Sequence, residues 1–155
     1  WKHRRQRQMC IRDRKKGGHT SRKINDLSIK DKVHFNKDLS FNEVRDLYCS
    51  SDIVVIPSLY EGFGFAIGEA MACRAPVITT SGGAIPEVIG NCGITVAPGN
   101  SEELEEAMLK LLPDENLKNS LAEKGFGRII EHLQWKEAAK LMTESYEVEI
   151  KRMTD

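Results

Sequence analysis

Apolar positions along the chain switch period repeatedly between two residues and helical spacing. Residues 21–29 carry helical spacing, and residues 32–35 read as a first strand. Ser40 with Glu43 three residues later makes a capping box, and Phe41, Val44, Leu47 and Tyr48 recur at helical spacing behind it. Residues 53–56 are a β-branched aliphatic run of the kind buried on both faces of a parallel sheet, and Pro57 ends it. Beyond a loop holding Glu61-Gly62-Phe63-Gly64, residues 65–74 read as a helix rich in small side chains. Residues 76–80 read as another strand, Ser81-Gly82-Gly83 as a turn into a short helix over 84–89, and residues 93–96 as a short last strand.

Helical spacing then takes over. Asn100 stands at a capping position with Glu103 at N3, ahead of an apolar stripe of Leu104, Ala107, Met108, Leu111 and Leu112. A second helix from about residue 115 carries Leu117, Leu121, Ile129, Ile130 and Leu133, weakened by Gly125 and Gly127. A third, from about Trp135, carries Ala138, Ala139, Met142, Tyr146 and Ile150. Strands alternating with helices predict the α/β class: a Rossmann-like parallel sheet with helices on both faces, followed by C-terminal helices. Ligands of such sheets sit where the carboxyl ends of the strands meet the following loops, which points to residues 57–69 and 80–84.

Composition narrows the function classes. The chain has 155 residues, 40% of them apolar, enough for one domain with its own core, and too apolar for a disordered chain. No apolar run is long enough to span a bilayer. Cysteines 10, 49, 73 and 92 form no C-x-x-C pair, so neither a disulfide framework nor a zinc site is expected, and a reducing cytoplasm is the default location. Cys73 reads as a packing residue. Charge is uneven beneath a net of zero: residues 1–32 hold 12 Lys or Arg against 3 Asp or Glu, and residues 33–155 hold 11 against 20. A basic arm can bind nucleic acid, but residues 1–16 have neither periodicity nor interleaved aromatics. They read as a disordered basic tail that packs against nothing and takes no nucleic-acid partner, with residues 17–155 as the domain. Within the tail, Met9-Cys10-Ile11-Arg12-Asp13-Arg14 resembles the translation of a transposon-end adapter used in preparing sequencing libraries, which implies a non-native tail.

The loop chemistry is more specific. Gly62 and Gly64 let backbone N–H groups approach a ligand, and a helix starting near Phe65 turns its positive end toward an anion. Glu61 in the loop and Glu69 in the second helical turn can address one ligand at the loop mouth, because helical side chains lean toward the N-terminus. Carboxylates accept from sugar hydroxyls and are poor partners for phosphate. Amides and a helix end would thus take phosphate, and carboxylates hydroxyls. A capped turn and a solvated helix face account for the same two residues without a ligand.

The run PSLYEGFGFAIGEAMACRAPV, residues 57–77, resembles the donor-site signature of family 4 glycosyltransferases, retaining enzymes of the two-domain GT-B architecture. Its E-x7-E is Glu61 and Glu69, followed by Ala70-Met71-Ala72 and Pro76-Val77. Phe35, Leu47-Tyr48, Ser51-Asp52, Gly82-Gly83 with Glu87, Gly93 and Trp135 extend the resemblance over residues 21–150. Arg74 and Asn36 depart from it, each standing where glycine is usual. The resemblance implies that Glu69 binds the ribose of a nucleotide-sugar donor and that Glu61, the catalytic candidate, faces the donor sugar. Gly62, Phe63, Gly64 and Phe65 would give amides to sugar and diphosphate, with no metal and no cofactor. It further implies a C-terminal fragment of an enzyme that transfers a hexose with retention, its acceptor domain and the diphosphate-binding Arg and Lys lying upstream. Arg22 and Lys23 have that chemistry in the wrong place. The acceptor, whether sugar, lipid or small molecule, is not specified; a cytoplasmic site with peripheral contact at the inner membrane face suits the family. The alternative is a non-catalytic module that binds nucleotide-sugars or acts as a scaffold.

Overall fold

The computed structural model describes residues 9–11 and 19–154, and the chain falls into two compact units that divide between Val44 and Arg45. In the first unit, β1 (Met9–Ile11) pairs in parallel with β2 (Val33–Phe35), Met9 opposite Val33 and Ile11 opposite Phe35. Between them lie α1 (His19–Asp26) and a 3-10 turn at Lys30–Lys32. The reading of residues 1–16 as a structureless tail is therefore corrected at Met9–Ile11. Those three residues are an uncharged stretch between basic flanks, free to offer backbone groups to a neighbouring strand. The rest of the arm lies outside the described residues. The predicted helix over 21–29 sits earlier in the chain, because Ser28 adopts a left-handed φ of 54° and closes it. Helix α2 (Phe41–Ser50) opens on the expected capping box: Ser40 N–H donates to Glu43 Oε2 at 2.8 Å and Glu43 N–H to Ser40 Oγ at 3.4 Å.

The second unit is built on a three-stranded parallel sheet of β3 (Val54–Ile56), β4 (Val77–Thr80) and β5 (Ile94–Val96), with β4 in the middle. Val54 pairs with Val77 and Ile78 with Ile94, so the period-2 alternation sends successive side chains to opposite faces. On one face Val77, with Val54 and Ile56, packs among Ile67 and Met71 of α3 (Phe65–Ala72) and Ile85 and Ile89 of α4 (Ile85–Ile89). On the other, Ile78 and Val96, with Ile53, Val55 and Ile94, meet Ala107 and Leu111 of α5 (Ser101–Leu111) and Leu121 of α6 (Glu115–His132). Every residue of β4 is buried; β3, in an outer position, is only half-buried, which corrects the expectation of full burial over 53–56.

Helix ends follow from local chemistry. Asn100 Oδ1 accepts from the N–H groups of Glu102 and Glu103, and Asp114 Oδ1 from Leu117 N–H at 2.9 Å. After α3, Arg74 N–H donates to Met71 O and Ala75 N–H to Ala70 O, the two bonds of a Schellman turn. Arg74 takes the left-handed position, φ 54°, that glycine usually holds, and its guanidinium is held by Glu123 at 3.0 Å and lies over the Phe126 ring. Of the two glycines in α6, Gly125 has a packing reason: a Cβ there would stand 3.1 Å from Met71 Cγ, while one at Gly127 would meet nothing. Buried Lys118 pairs with Glu115 one turn earlier in α6 at 2.7 Å and ties the helix to Asp52, ahead of β3, at 3.6 Å. Met142, Tyr146 and Ile150 of α7 (Trp135–Thr154) are exposed, as are Ala138 and Ala139. Among the described residues no helix is long and apolar enough to cross a membrane.

At the carboxyl edge of the sheet two loops are locked side by side. Thr79 Oγ1 donates to Ile56 O at 3.0 Å, and Thr80 Oγ1 donates to Ser58 O. Glu61 and Gly83 form a parallel bridge, and Ala84 N–H donates to Glu61 O at 2.9 Å. The approach is too close for side chains on the second loop. A Cβ on Gly82 would lie 2.2 Å from Leu59 O, and one on Gly83, at φ 67°, would lie 2.3 Å from Glu61 O.

Two outcomes are expected. Gly82→Ala and Gly83→Ala should each lose about 2 kcal/mol or more in urea unfolding, whereas Gly62→Ala, with nothing within 4 Å, should lose under about 0.5 kcal/mol. Ile78→Ala should cost about 2–5 kcal/mol, since the fully buried Ile78 has nothing but core around it. Equal tolerance of alanine at positions 62, 82 and 83 would contradict the locked-loop geometry.

Candidate functional site

The loop that follows β3 and the loop that follows β4 converge where the sequence places the candidate residues. Glu61 is half-buried in the first loop. Its backbone is fixed by the bridge to Gly83, and its Oε1 accepts from Ser58 Oγ at 2.8 Å. Ser58 is itself tied down through its carbonyl by Thr80, so backbone and carboxylate of Glu61 are both oriented by the sheet edge. Gly64, at φ 84°, turns the chain into α3 and leaves the helix without a side-chain cap. The first N–H groups of a helix have no intrahelical partner. In α5 and α6, Asn100 and Asp114 supply one; at α3 and at α4, the two helices that leave the site loops, no side chain does.

Glu69 stands in the second turn of α3, exposed, and its Oε2 accepts from the Tyr48 hydroxyl of α2 at 3.3 Å. Phe63 and Phe65 flank Gly64 with ring centroids 4.5 Å apart, and both rings are substantially exposed, 48% and 67%. Gly62 is exposed as well. The site therefore offers uncapped amides at a helix start, an open glycine backbone and two carboxylates, each steadied by a hydroxyl donor. Such a set can hold an anion at the amides and hydroxyls at the carboxylates. A neighbouring open hollow of about 180 Å³, lined by residues including Pro57, Thr80, Val96, Gly99 and Leu104, lies at the same end of the sheet. Among the described residues no three His, Cys, Asp or Glu side chains gather as a metal ion would require.

Sequence reasoning left two residues out. Ser58 stands three residues before Glu61 and is its hydrogen-bond donor. That spacing within a turn was the available signal. Tyr48 sits 21 residues before Glu69, and only the packing of α2 against the α3 face reveals it.

Comparison with known proteins shows the family of the chain. The sequence model of the family described as glycosyl transferases group 1 matches residues 11–114. An MMP alpha-(1->4)-mannosyltransferase of Mycolicibacterium hassiacum is 35% identical over 139 residues, which is 88% of this chain and 34% of that protein. The crystal structure of the C-terminal domain of a glycosyl transferase group 1 family protein from Francisella tularensis superposes with a TM-score of 0.67 at 30% identity, over 74% of this chain and 60% of that one. HepE of Anabaena, crystallised with UDP-glucose, shares the fold at a TM-score of 0.74 and 22% identity, over 83% of this chain and 36% of that one. The chain thus spans about a third of the length of the curated relatives it matches. With its parallel sheet, covered faces and GT-B-type neighbours, it belongs to the group 1 glycosyl transferases.

Proposed function

We propose that this chain is the donor-binding domain of a retaining hexosyltransferase, and that a nucleotide-sugar lies across the loops after β3 and β4. One observation carries the reading. The uncapped start of α3 lies along the chain between Glu61 and Glu69, and each carboxylate is held by a hydroxyl donor. In this reading the amides of Gly62, Phe63, Gly64 and Phe65 take the diphosphate and sugar oxygens, assisted by the α3 dipole rather than by a metal. Glu69 accepts from the ribose hydroxyls, with Tyr48 fixing its rotamer. Glu61 accepts from the donor sugar and places negative charge near the carbon that becomes electron-poor as the diphosphate leaves. HepE's complex with UDP-glucose supports a donor of this class.

The division of labour separates the two carboxylates kinetically. Glu69 contributes to binding the donor in ground and transition states alike, so its loss raises KM. Glu61 acts where charge develops, so its loss lowers kcat. Catalysis also needs an acceptor held against the donor, which this chain does not supply, so the 155 residues alone bind donor weakly and transfer no sugar.

In the intact enzyme, Glu69→Gln should raise donor KM about 10-fold or more, the worth of a charged hydrogen bond. Glu61→Gln should lower kcat about 100-fold or more with little change in KM. Steady-state kinetics with varied donor reads both. Activities of the two variants within a few-fold of the parent would refute the assignment, and a wild-type protein that binds donor yet transfers nothing would favour a non-catalytic module.

A further inference from the structure

Residues 58–61 form a short loop segment whose two ends are pinned independently. Buried β4 holds the near end: Thr79 Oγ1 donates to Ile56 O at 3.0 Å, and Thr80 Oγ1 donates to Ser58 O. The loop after β4 holds the far end, through the Glu61–Gly83 bridge and the bond from Ala84 N–H to Glu61 O at 2.9 Å. Between the pinned ends Leu59 and Tyr60 are exposed, while Ser58 and Glu61 are half-buried and their side chains meet. Ser58 Oγ donates to Glu61 Oε1 at 2.8 Å. A serine hydroxyl has one proton to give, so this bond uses its donor completely. Pinning the Glu61 backbone leaves its side-chain torsions with several staggered wells to choose from, and a bond to one carboxylate oxygen selects among them.

We propose that Ser58 is a positioning residue for sugar transfer: it holds the Glu61 carboxylate by Oε1 and so presents Oε2 to the donor sugar. The proposal rests on the catalytic role given above to Glu61 and names the side chain that makes that role productive. Ser58 acts on the reaction only through Glu61. Its bond sets the negative charge in place before the diphosphate leaves, so the carboxylate need not reorient as the sugar carbon becomes electron-poor. Without the hydroxyl, Glu61 is still present but spreads over more rotamers, and fewer of them address the reacting carbon. That loss falls on the transition state, where the charge of Glu61 matters most, and spares the donor contacts made by Glu69 and the 62–65 amides. Thr80 serves the same end one step back, because it fixes the Ser58 backbone from which the hydroxyl reaches out. The buried strand thereby sets the carboxylate as well as the loop.

The test is a double-mutant cycle in the intact enzyme, with Ser58→Ala and Glu61→Ala made singly and together and steady-state kinetics read at varied donor. Ser58→Ala should lower kcat about 10-fold, the size of a hydrogen bond to a charged group, and leave donor KM within about 2-fold of the parent. In the Glu61→Ala background the same substitution should change kcat by less than about 2-fold, because the group it acts through is gone. Ser58→Thr, which keeps a hydroxyl, should recover most of the rate. A parent-like kcat in Ser58→Ala, or an equal loss with and without Glu61, would overturn the proposal, since the bond then does no more than close the loop. Both of those results leave the donor-site reading standing as long as Glu61→Ala is itself slow. A Glu61→Ala enzyme as fast as the parent would instead overturn the catalytic role of Glu61 and the proposal with it.

Discussion

Complete burial of β4 is the constraint on which the site depends. Val77 and Ile78 point to opposite faces, and each face is closed by helices, so the strand cannot slip by one residue without exchanging its two core clusters. The same register carries Thr79 and Thr80, both buried, into reach of the carbonyls of Ile56 and Ser58. A hydroxyl in such a core must find an acceptor, and the acceptors available are on β3 and the loop that leaves it. Core packing is thereby converted into loop position.

From that point each site feature follows by a short chain of causes. Thr80 fixes the Ser58 peptide, Ser58 orients Glu61, and the Glu61 backbone bridges to Gly83. The bridge is so close that only glycine fits at positions 82 and 83. Gly64 then delivers the chain into α3 with its first N–H groups uncapped, which is an unsatisfied arrangement unless water or a ligand completes it. Elsewhere in this unit, at α5 and α6, the sequence supplies Asn and Asp caps. No side chain caps α3, the helix that begins after the Glu61 loop and carries Glu69.

Much of this is legible in the sequence, because it depends on local pattern. The β-branched runs, the capping box at Ser40, the Asn100 cap and the E-x7-E spacing are all readable within windows of ten residues. What depends on tertiary packing is not. β-branching does not distinguish the outer, half-buried β3 from the central β4, since every residue of both strands is β-branched. Arg74 reads as a strain at the helix end; its compensation by Glu123 and Phe126 lies some 50 residues away. The pairing of Met9–Ile11 with β2 was hidden by the charge around it, and the Tyr48–Glu69 hydrogen bond joins residues 21 apart that no local pattern links.

The central claim is that the backbone amides at the start of α3, with the glycine loop before them, are the donor's anion site. Residue-resolved amide NMR of the chain titrated with UDP-, GDP- and ADP-linked hexoses tests it directly. The account predicts that one of these donors shifts the amides of Gly62, Phe63, Gly64 and Phe65 most strongly, with smaller shifts at Gly82 and Gly83. Shifts confined to the hollow around Ala97–Ser101, or saturation by a donor that leaves the 62–65 amides unmoved, would contradict it.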